Sequence, residues 1–231
     1  MNTNFTSMKK IALLFILVLT QTLFAQTVTK NPGDFTSVKV FDQISVQLIP
    51  GPESKVEIKG SRASEVEVIN KNGELKIKMP VQKLLQGEEI EATVYYQKLE
   101  TIEASEGSYV ISETPIKTVH FSLNAKEGAQ IRIALEVQRA TLKINSGGKI
   151  KVTGTTDNQN VSLTSGGELD AEKFISKQTT INLKAGGNAT IFATDFVDAK
   201  VSAGGDIFIH GSPKQINQKV LIGGTITEVK R

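Results

Sequence analysis

The stretch INSGGKIKV, residues 144–152, recurs along this chain with modest changes. It returns as LTSGGELDA, LKAGGNATI, VSAGGDIFI and VLIGGTITE, each with a glycine pair at its centre. The second glycines follow one another at spacings of 19, 20, 18 and 19 residues; they are Gly148, Gly167, Gly187, Gly205 and Gly224. Degenerate copies around Gly107 and Gly128 extend the series upstream at spacings of 21 and 20. A period near 20 residues is typical of repeat architectures.

The apolar residues within each repeat indicate the kind of repeat. Leu142 and Ile144 alternate with polar residues before the first glycine pair, and Ile150 and Val152 do so after it. Alternation with a period of two predicts a strand with one buried face. Because about 20 residues cannot enclose a core alone, the copies must stack on one another. The sequence therefore predicts an all-β fold, a parallel β-solenoid or β-helix with Gly-Gly rungs of about 19–20 residues.

The glycine pairs are interpreted as bends between two strands. We expect each bend to require a positive φ or a close approach between neighbouring rungs, which a Cβ atom would hinder. In this register the residue before each pair should point into a narrow interior; these residues are Ser146, Ser165, Ala185, Ala203 and Ile222. A phosphate-binding glycine loop is disfavoured, because it needs a helix after the glycines and strands follow here.

The segment before the repeats, residues 27–97, lacks the glycine marker but still alternates like β-strands. Its Asn72-Gly73 dipeptide separates two alternating runs, which is a strong signal for a hairpin. We expect an antiparallel or mixed β region here that caps the first rung. The other end shows no such cap, and charged residues near it are expected to protect the last strand from edge pairing: Glu228, Lys230 and Arg231.

Residues 1–25 have the pattern of a secretory leader. Lys9 and Lys10 precede an apolar run at 11–19, and Ala25 supplies a small residue for cleavage before Gln26. The run is too short for a membrane span, which needs about 20 residues. Cleavage would remove two lysines and no acids, so the formal net charge would fall from +3 to +1. The predicted organisation is a signal peptide (1–25), an N-terminal β cap (26–100) and solenoid repeats (101–231), with 26–231 forming one continuous domain.

The composition narrows the chemistry. There is no cysteine, which excludes disulfides, thiolate metal sites and a cysteine nucleophile. The two histidines, His120 and His210, lie four to five rungs apart, which is roughly 20 Å at a strand spacing of about 4.8 Å. They are too far apart to share a metal, and a balanced charge gives no reason to expect nucleic acid. We predict no enzyme, no cofactor and no membrane span in the mature chain.

Three features together resemble a known bacterial family. They are the opening FTSVKVFDQISVQLIPGPESKVEIKG (residues 35–60), the hairpin NGELKIKM (72–79) and the repeated SGG and AGG rungs. The chain is similar, from about Asp34 to about Val229, to the family called putative auto-transporter adhesin, head GIN domain. The resemblance implies an exported β-helical protein of the kind common in Bacteroidetes-type bacteria. It supplies no catalytic residues.

The residue after each glycine pair should point outward: Lys149, Glu168, Asn188, Asp206 and Thr225. Glu168 and Asp206 are two rungs apart, roughly 9.6 Å, close to the widest carboxylate separation of inverting glycosidases, about 9.5 Å. With Asn188 between them, the column could bind a cation or a sugar, although a solvated polar ladder is the simpler interpretation.

Two aromatic residues, Phe192 and Phe208, also fall at outward phases. An exposed ring suits a sugar or protein contact; alternatively, the variable arm of the repeat folds over both rings. Tyr95 and Tyr96 should face opposite sides of their strand. The candidate ligand face therefore consists of Glu168, Asn188, Asp206 and Phe208.

Three classes of function remain open. The favoured class is a non-enzymatic, exported module, adhesive or structural, in the periplasm or at the surface of a Gram-negative bacterium. Its partner would be a surface glycan or an envelope protein, and homo-oligomers are compatible with it. The alternative is a periplasmic protein with a pectate-lyase-like β-helix that binds or acts on polysaccharide, although the short, even arms count against a catalytic cleft. The third is a small-ligand sensor with a pocket around SEGSYVI, residues 105–111.

Overall fold

The computed structural model describes residues 27–230, so the predicted signal peptide lies outside the described residues. Strand makes up 66% and helix 3% of the described residues, which confirms the all-β prediction. The strands are β1 (Val28–Lys30), β2 (Ser37–Val40), β3 (Ser45–Pro50), β4 (Lys55–Lys59), β5 (Glu67–Lys71), β6 (Glu74–Lys78), β7 (Glu91–Tyr96), β8 (Thr101–Ala104), β9 (Tyr109–Ala125), β10 (Gln130–Ile144), β11 (Lys149–Thr164), β12 (Gly167–Lys184), β13 (Gly187–Val201), β14 (Asp206–His210), β15 (Gln215–Val220) and β16 (Thr225–Glu228). Two 3-10 helices, Ala63–Glu65 and Val81–Lys83, complete the elements of the described residues.

The strands wind into a parallel β-solenoid of about seven turns with rungs about 19 residues apart, as predicted. The long strands β9 to β13 pair side by side in parallel, so that Ile131 of β10 lies beside Ile150 of β11. Each long strand begins at a glycine bend, bends again near its middle, and ends at the next glycine bend. Its inward side chains form one continuous apolar core from Phe35 to Ile209.

The glycine bends combine a positive φ with a close approach, which confirms both parts of that prediction. The first glycine of each pair has a positive φ, as at Gly147 (+72°), where a Cβ would meet nothing within 4 Å. The second glycine faces the neighbouring rung, and in the last three pairs its φ is positive as well. A Cβ at Gly148 would lie 2.3 Å from the carbonyl oxygen of Ala125, so only glycine fits there.

The predicted direction of the residue before each pair is wrong. All five of these residues are exposed, namely Ser146, Ser165, Ala185, Ala203 and Ile222. At Ser146, Ser165 and Ala185 the left-handed turn starts one residue earlier than expected, with φ of +48°, +52° and +58°, and this backbone turns the side chain outward. At Ala203 and Ile222 the two glycines that follow are the left-handed residues. The second glycine keeps the inward position that alternation gives it, as at Gly148.

The bends of successive rungs stack into a column, which we term the bend column, and hydrogen bonds join them. The amide of Gly128 donates to the carbonyl of Ser146 at 3.1 Å, and the amide of Gly147 donates to the carbonyl of Ser165 at 3.1 Å. The column begins at Asp42 and Gln43, whose φ values are +59° and +64° and where no glycine is present. The amide of Gln43 donates to the carbonyl of Glu106 at 2.9 Å, so this first bend continues the same ladder.

The N-terminal region is a mixed β region, as predicted, and it closes one end of the solenoid. Strands β2 and β3 form a rung that pairs in parallel with the strands on both sides. The outermost strands instead pair antiparallel: β5 with β6, and β4 with β7 and β1. The β5–β6 hairpin turns at Asn72-Gly73, both with positive φ, which confirms the predicted hairpin.

A buried carboxylate joins this N-terminal region to the bend column. Asp42 is 1% exposed, and its two carboxylate oxygens accept hydrogen bonds from the amides of Met79 and Leu85, each at 2.9 Å. These amides belong to the segment between β6 and β7, which replaces the short glycine bend in that rung. Its Gly87 amide also donates to the carbonyl of Asp42, at 3.0 Å. Asp42 therefore fixes a long connection against the first bend.

The acids of the bend column give a prediction about pH. Burial raises the pKa of Glu106, and the charges of Asp42 and Glu127 raise it further. Because the folded state holds this proton more tightly than the unfolded state, the free energy of unfolding should fall as pH rises above the usual glutamate pKa. Glu106→Gln should remove this contribution and stabilise the protein at neutral pH relative to wild type. Urea unfolding across pH would measure the difference, with the exposed Glu113→Gln as control; equal pH profiles for Glu106→Gln and wild type would contradict it.

The C-terminal end has an open last rung. Within the described residues, β15 pairs only with β13 and β16 pairs only with β14. Glu228 lies beside the inward Ile209, and Gln218 beside the inward Ala199, so two polar side chains occupy core positions at this edge. Inward-pointing polar residues on an edge discourage pairing with another chain. This placement agrees with the protective role predicted for Glu228, whereas Arg231 lies outside the described residues.

The double substitution Gln218→Val with Glu228→Leu is therefore expected to promote self-association. It would extend the exposed apolar surface that Leu221 and Ile222 already present at this end. Light scattering after size-exclusion chromatography, over a range of protein concentrations, measures the effect. Thr227→Val, an outward position of the same edge, is the control. If the double variant keeps the wild-type mass at every concentration, these side chains do not protect the edge.

Candidate functional site

Two rows of outward side chains run along the face formed by the strand segments that follow the glycine bends, which we term the front face. Residues in register on neighbouring strands form each row. Row 1 consists of Glu91, Ser45, Tyr109, Gln130, Lys149, Glu168, Asn188, Asp206 and Thr225. Row 2, two residues further along each strand, consists of Thr93, Gln47, Ile111, Arg132, Lys151, Asp170, Thr190, Phe208 and Thr227.

The structure brings the four sequence-predicted ligand residues onto this one face. Glu168, Asn188 and Asp206 occupy three successive rungs of row 1, in the register predicted. Phe208 lies in row 2 and is 37% exposed, so the repeat arm does not cover it. Phe192 is half-buried, and Tyr96 is buried while Tyr95 is half-buried on the other side of the strand. That these residues bind a ligand stays a prediction.

The two carboxylates among the four predicted ligand residues already have partners. Glu168 forms an ion pair with Lys149 of the preceding rung, with the nitrogen and oxygen 2.8 Å apart. Asp206 accepts a hydrogen bond from the hydroxyl of Thr225 at 2.7 Å. With Asn188 on the rung between them, the two acids each interact with a different neighbour. This arrangement stabilises the ladder and does not pair the acids for acid–base catalysis.

Two depressions that share Tyr109 lie in succession between rows 1 and 2 in the N-terminal part of the front face, and we refer to them together as the groove. One part, of about 400 Å³, is lined by side chains of β3 and β7. The next, of about 330 Å³, is lined by side chains of β10, β11 and β12. Tyr109 contributes to both parts. The groove spans six rungs, from Glu91 to Glu168, which at a strand spacing of about 4.8 Å is about 24 Å.

Sequence reasoning did not identify the charged and aromatic residues of this groove. Tyr109, Gln130, Arg132 and Lys151 line it but were not among the predicted ligand residues. The signal was present, because extending the row of Lys149 by two rungs upstream reaches Gln130 and Tyr109. Arg132 and Lys151 then follow two positions later on their strands. The predicted sensor pocket around residues 105–111 overlaps the groove only at Tyr109 and Ile111.

Beyond the groove, towards the N-terminal end, the charged side chains of the front face pair with one another. A hydrogen bond from Lys55 lowers the pKa of Glu57 below its usual value, and the same contact raises the pKa of Lys55. The ammonium of Lys55 also lies 4.4 Å from the centre of the Tyr95 ring, a cation–π contact. Lys55, Glu57 and Tyr95 therefore interact with one another, and this part of the face presents little net charge to a ligand.

The histidines and acids of the described residues form no metal-binding group of three or more ligands. The ring of His120 lies 3.2 Å from the hydroxyl of Thr141, and His210 lies 3.9 Å from a carboxylate oxygen of Glu172. Each histidine therefore has its own local partner. No helix of residues 27–230 has the length and apolar character that crossing a membrane requires.

The fold and the face define a class of protein, a parallel β-solenoid that presents an open, polar, grooved surface. The chain belongs to the family described as putative auto-transporter adhesin, head GIN domain, whose model matches residues 34–213. This confirms the resemblance noted in the sequence. No curated protein matches the chain.

Solved structures share the fold. A putative adhesin from Bacteroides fragilis superposes with a TM-score of 0.82 at 18% identity, covering 88% of this chain and 96% of that one. A putative adhesin from Parabacteroides distasonis gives 0.74 at 21% identity with the same coverage. A putative lipid binding protein from the same species gives 0.66 at 18% identity, covering 89% and 96%. At these identities the likeness supports the architecture alone.

Proposed function

We propose that this protein is an exported, non-enzymatic adhesin module of the bacterial surface that holds a glycan chain in the front groove. The observation that carries the proposal is the groove itself, which is open to solvent and lined by an aromatic ring and polar side chains on a continuous sheet. Family membership supports the adhesive role. The signal-like residues 1–25 support export.

The arrangement of acids favours binding over catalysis. Hydrolysis of a glycosidic bond needs two carboxyl groups that flank the same bond, one of them a proton donor. Here two acids of the groove form ion pairs with lysines of the preceding rung: Glu168 with Lys149 and Asp170 with Lys151. Each of these carboxylates therefore contacts its own lysine, an arrangement that suits a polar wall.

A glycan array with the mature chain, residues 26–231, tests the proposal. Wild type is expected to bind at least one class of sugar chain, and Tyr109→Ala to lose that binding. Phe208→Ala is the matched control, because it removes an exposed aromatic ring from the same face but outside the groove. Binding that depends on Phe208 and not on Tyr109 would place the site on the predicted face further along the solenoid instead.

Analysis of the bound glycans after long incubation separates binding from turnover. The proposal expects each glycan to be recovered at its original length. Shortened products that disappear in a Glu168→Gln variant would show an enzyme. An array without any binding would point to a protein partner, and cross-linking in the native envelope would then identify it.

A further inference from the structure

In the part of the groove lined by β10, β11 and β12, cations outnumber acids by one. Three cations line this part, Arg132, Lys149 and Lys151, beside the two acids Glu168 and Asp170. Each lysine forms an ion pair with one of these acids. The remaining acid of the groove, Glu91, lies in the other part, three rungs from Arg132. Within residues 27–230, no carboxylate oxygen lies within 4.0 Å of the Arg132 guanidinium, although its side chain is exposed in the groove wall. This part of the groove therefore offers one unmatched positive charge.

From this charge we propose that the glycan held in the groove is a carboxylate-bearing polysaccharide, with a uronic acid unit bound by Arg132. This rests on the proposed function and specifies its ligand. A guanidinium presents two parallel N–H donors that match the two oxygens of a carboxylate, so the contact selects for charge and for geometry. The backbone at Arg132 is fixed, because β10 is hydrogen-bonded to β9 on one side and to β11 on the other.

Tyr109 completes the site on the adjacent rung. It lies in row 1 beside Gln130, while Arg132 stands two residues beyond Gln130 in row 2. The half-buried ring offers an apolar surface with a polar end, which suits the mixed C–H and hydroxyl surface of a pyranose. Gln130 has both donors and acceptors for the hydroxyls of the sugar. A sugar on the Tyr109 ring thus places its carboxylate within the neighbourhood of Arg132.

The neighbouring lysines extend the preference for carboxylates along the bound glycan. Surface ion pairs such as Lys149–Glu168 contribute only about 0–1 kcal/mol. A second carboxylate on the glycan can therefore compete for Lys149 or Lys151 at low cost. The regular spacing of the rungs, about 4.8 Å, repeats these contacts along a linear polymer.

An acidic peptide fits the groove less well than a glycan. Extended peptides usually bind β proteins by adding a strand to an open sheet edge. This groove lies on the face of the sheet, where β9, β10 and β11 each have hydrogen-bonded neighbours on both sides. A peptide there would have no backbone partners, whereas a sugar chain needs only side chains.

Calorimetric titration of the mature chain tests the proposal. The probes are oligomers of galacturonate, of alginate and of hyaluronate, each beside its carboxyl-reduced, uncharged counterpart. At least one acidic oligomer is expected to bind, and its reduced form to bind at least tenfold more weakly. Arg132→Gln should lower the affinity for the acidic oligomer by about tenfold to a hundredfold, as loss of a charge-assisted hydrogen-bonded pair implies. Arg132→Lys should restore only part of the affinity, because it keeps the charge and loses the paired geometry.

Controls and contrary outcomes separate this proposal from the proposed function. Arg139→Gln, an exposed arginine outside the groove, should bind like wild type. Equal binding of acidic and reduced oligomers, lost in Tyr109→Ala but not in Arg132→Gln, would overturn the carboxylate and leave the glycan groove intact. Failure of every oligomer, together with a silent glycan array, would overturn both. Polyglutamate that binds as tightly as the best uronate oligomer, through Arg132, would make the partner an acidic protein.

Discussion

Gly187→Ala is expected to lower the free energy of unfolding by about 2–5 kcal/mol. The new Cβ would lie 2.4 Å from the carbonyl oxygen of Gly167 and 2.5 Å from Cδ2 of Leu163, so the rungs must move apart. Overpacking of this kind costs about 1–3 kcal/mol. The φ of +111° adds about 1–2 kcal/mol for a residue with a side chain. Urea unfolding followed by circular dichroism measures the loss.

The neighbouring Gly186→Ala is the matched control. Its φ of +78° gives the same kind of backbone cost, about 1–2 kcal/mol, but no atom lies within 4 Å of the added Cβ. The difference between the two variants isolates the close approach between rungs. Equal losses in both would mean that the glycine pair serves only the backbone conformation, and that the tight stacking described above is wrong.

Asp42→Ala is expected to destabilise the protein by a similar amount, about 2–5 kcal/mol. Its carboxylate accepts hydrogen bonds from the amides of Met79 and Leu85. Without it, these two donors lose their partners beneath the connection between β6 and β7. A buried donor left unpaired costs about 1–3 kcal/mol. Thermal and urea unfolding would both report the loss, and proteolysis should cut first within residues 80–89, because this connection is no longer held.

Asp157→Ala is the control for Asp42. The carboxylate of this aspartate forms an ion pair with Lys177, with the nitrogen and oxygen 2.7 Å apart, but its side chain is 46% exposed. Its loss is expected to cost less than about 1 kcal/mol, as for other surface ion pairs. If Asp42→Ala were as mild as Asp157→Ala, the N-terminal connection would be fixed by packing and not by Asp42.

The solenoid could be predicted because its signals are local and repeated. The glycine pairs, their spacing and the apolar alternation all lie within one rung, and every rung repeats them. The phase at the bend could not be read in the same way. Alternation places both Ser146 and Gly148 inside, but the two consecutive left-handed residues Ser146 and Gly147 turn the Ser146 side chain outward. Only the backbone angles reveal this exception at Ser146.

The N-terminal rungs were harder to predict because their order in space differs from their order in sequence. The rung of β2 and β3 lies between the rung of β6 and β7 and the rung of β8 and β9. Its bend uses Asp42 and Gln43, so the glycine marker is missing. Pairing between strands so distant in sequence leaves no local signal, although the Asn72-Gly73 hairpin within the same region was evident.

The candidate site was predicted in part. The outward row through Lys149, Glu168 and Asn188 followed directly from the repeat, and the structure places it there. The groove was missed because it depends on two rows at once and on which charges remain unpaired. That Lys149 pairs with Glu168 while Arg132 stays unpaired is a matter of side-chain distances across rungs, which no single repeat contains.

The most direct test of the account is to map a bound oligouronate on the mature chain by amide chemical shifts in NMR. The shifts are expected to cluster on the front face, at Tyr109, Gln130 and Arg132. The back face, formed by the strand segments that precede the glycine bends, should remain unchanged at Thr141, Asn160 and Thr180. Shifts confined to that back face, or spread along Asn188, Asp206 and Phe208 without Tyr109, would contradict the account.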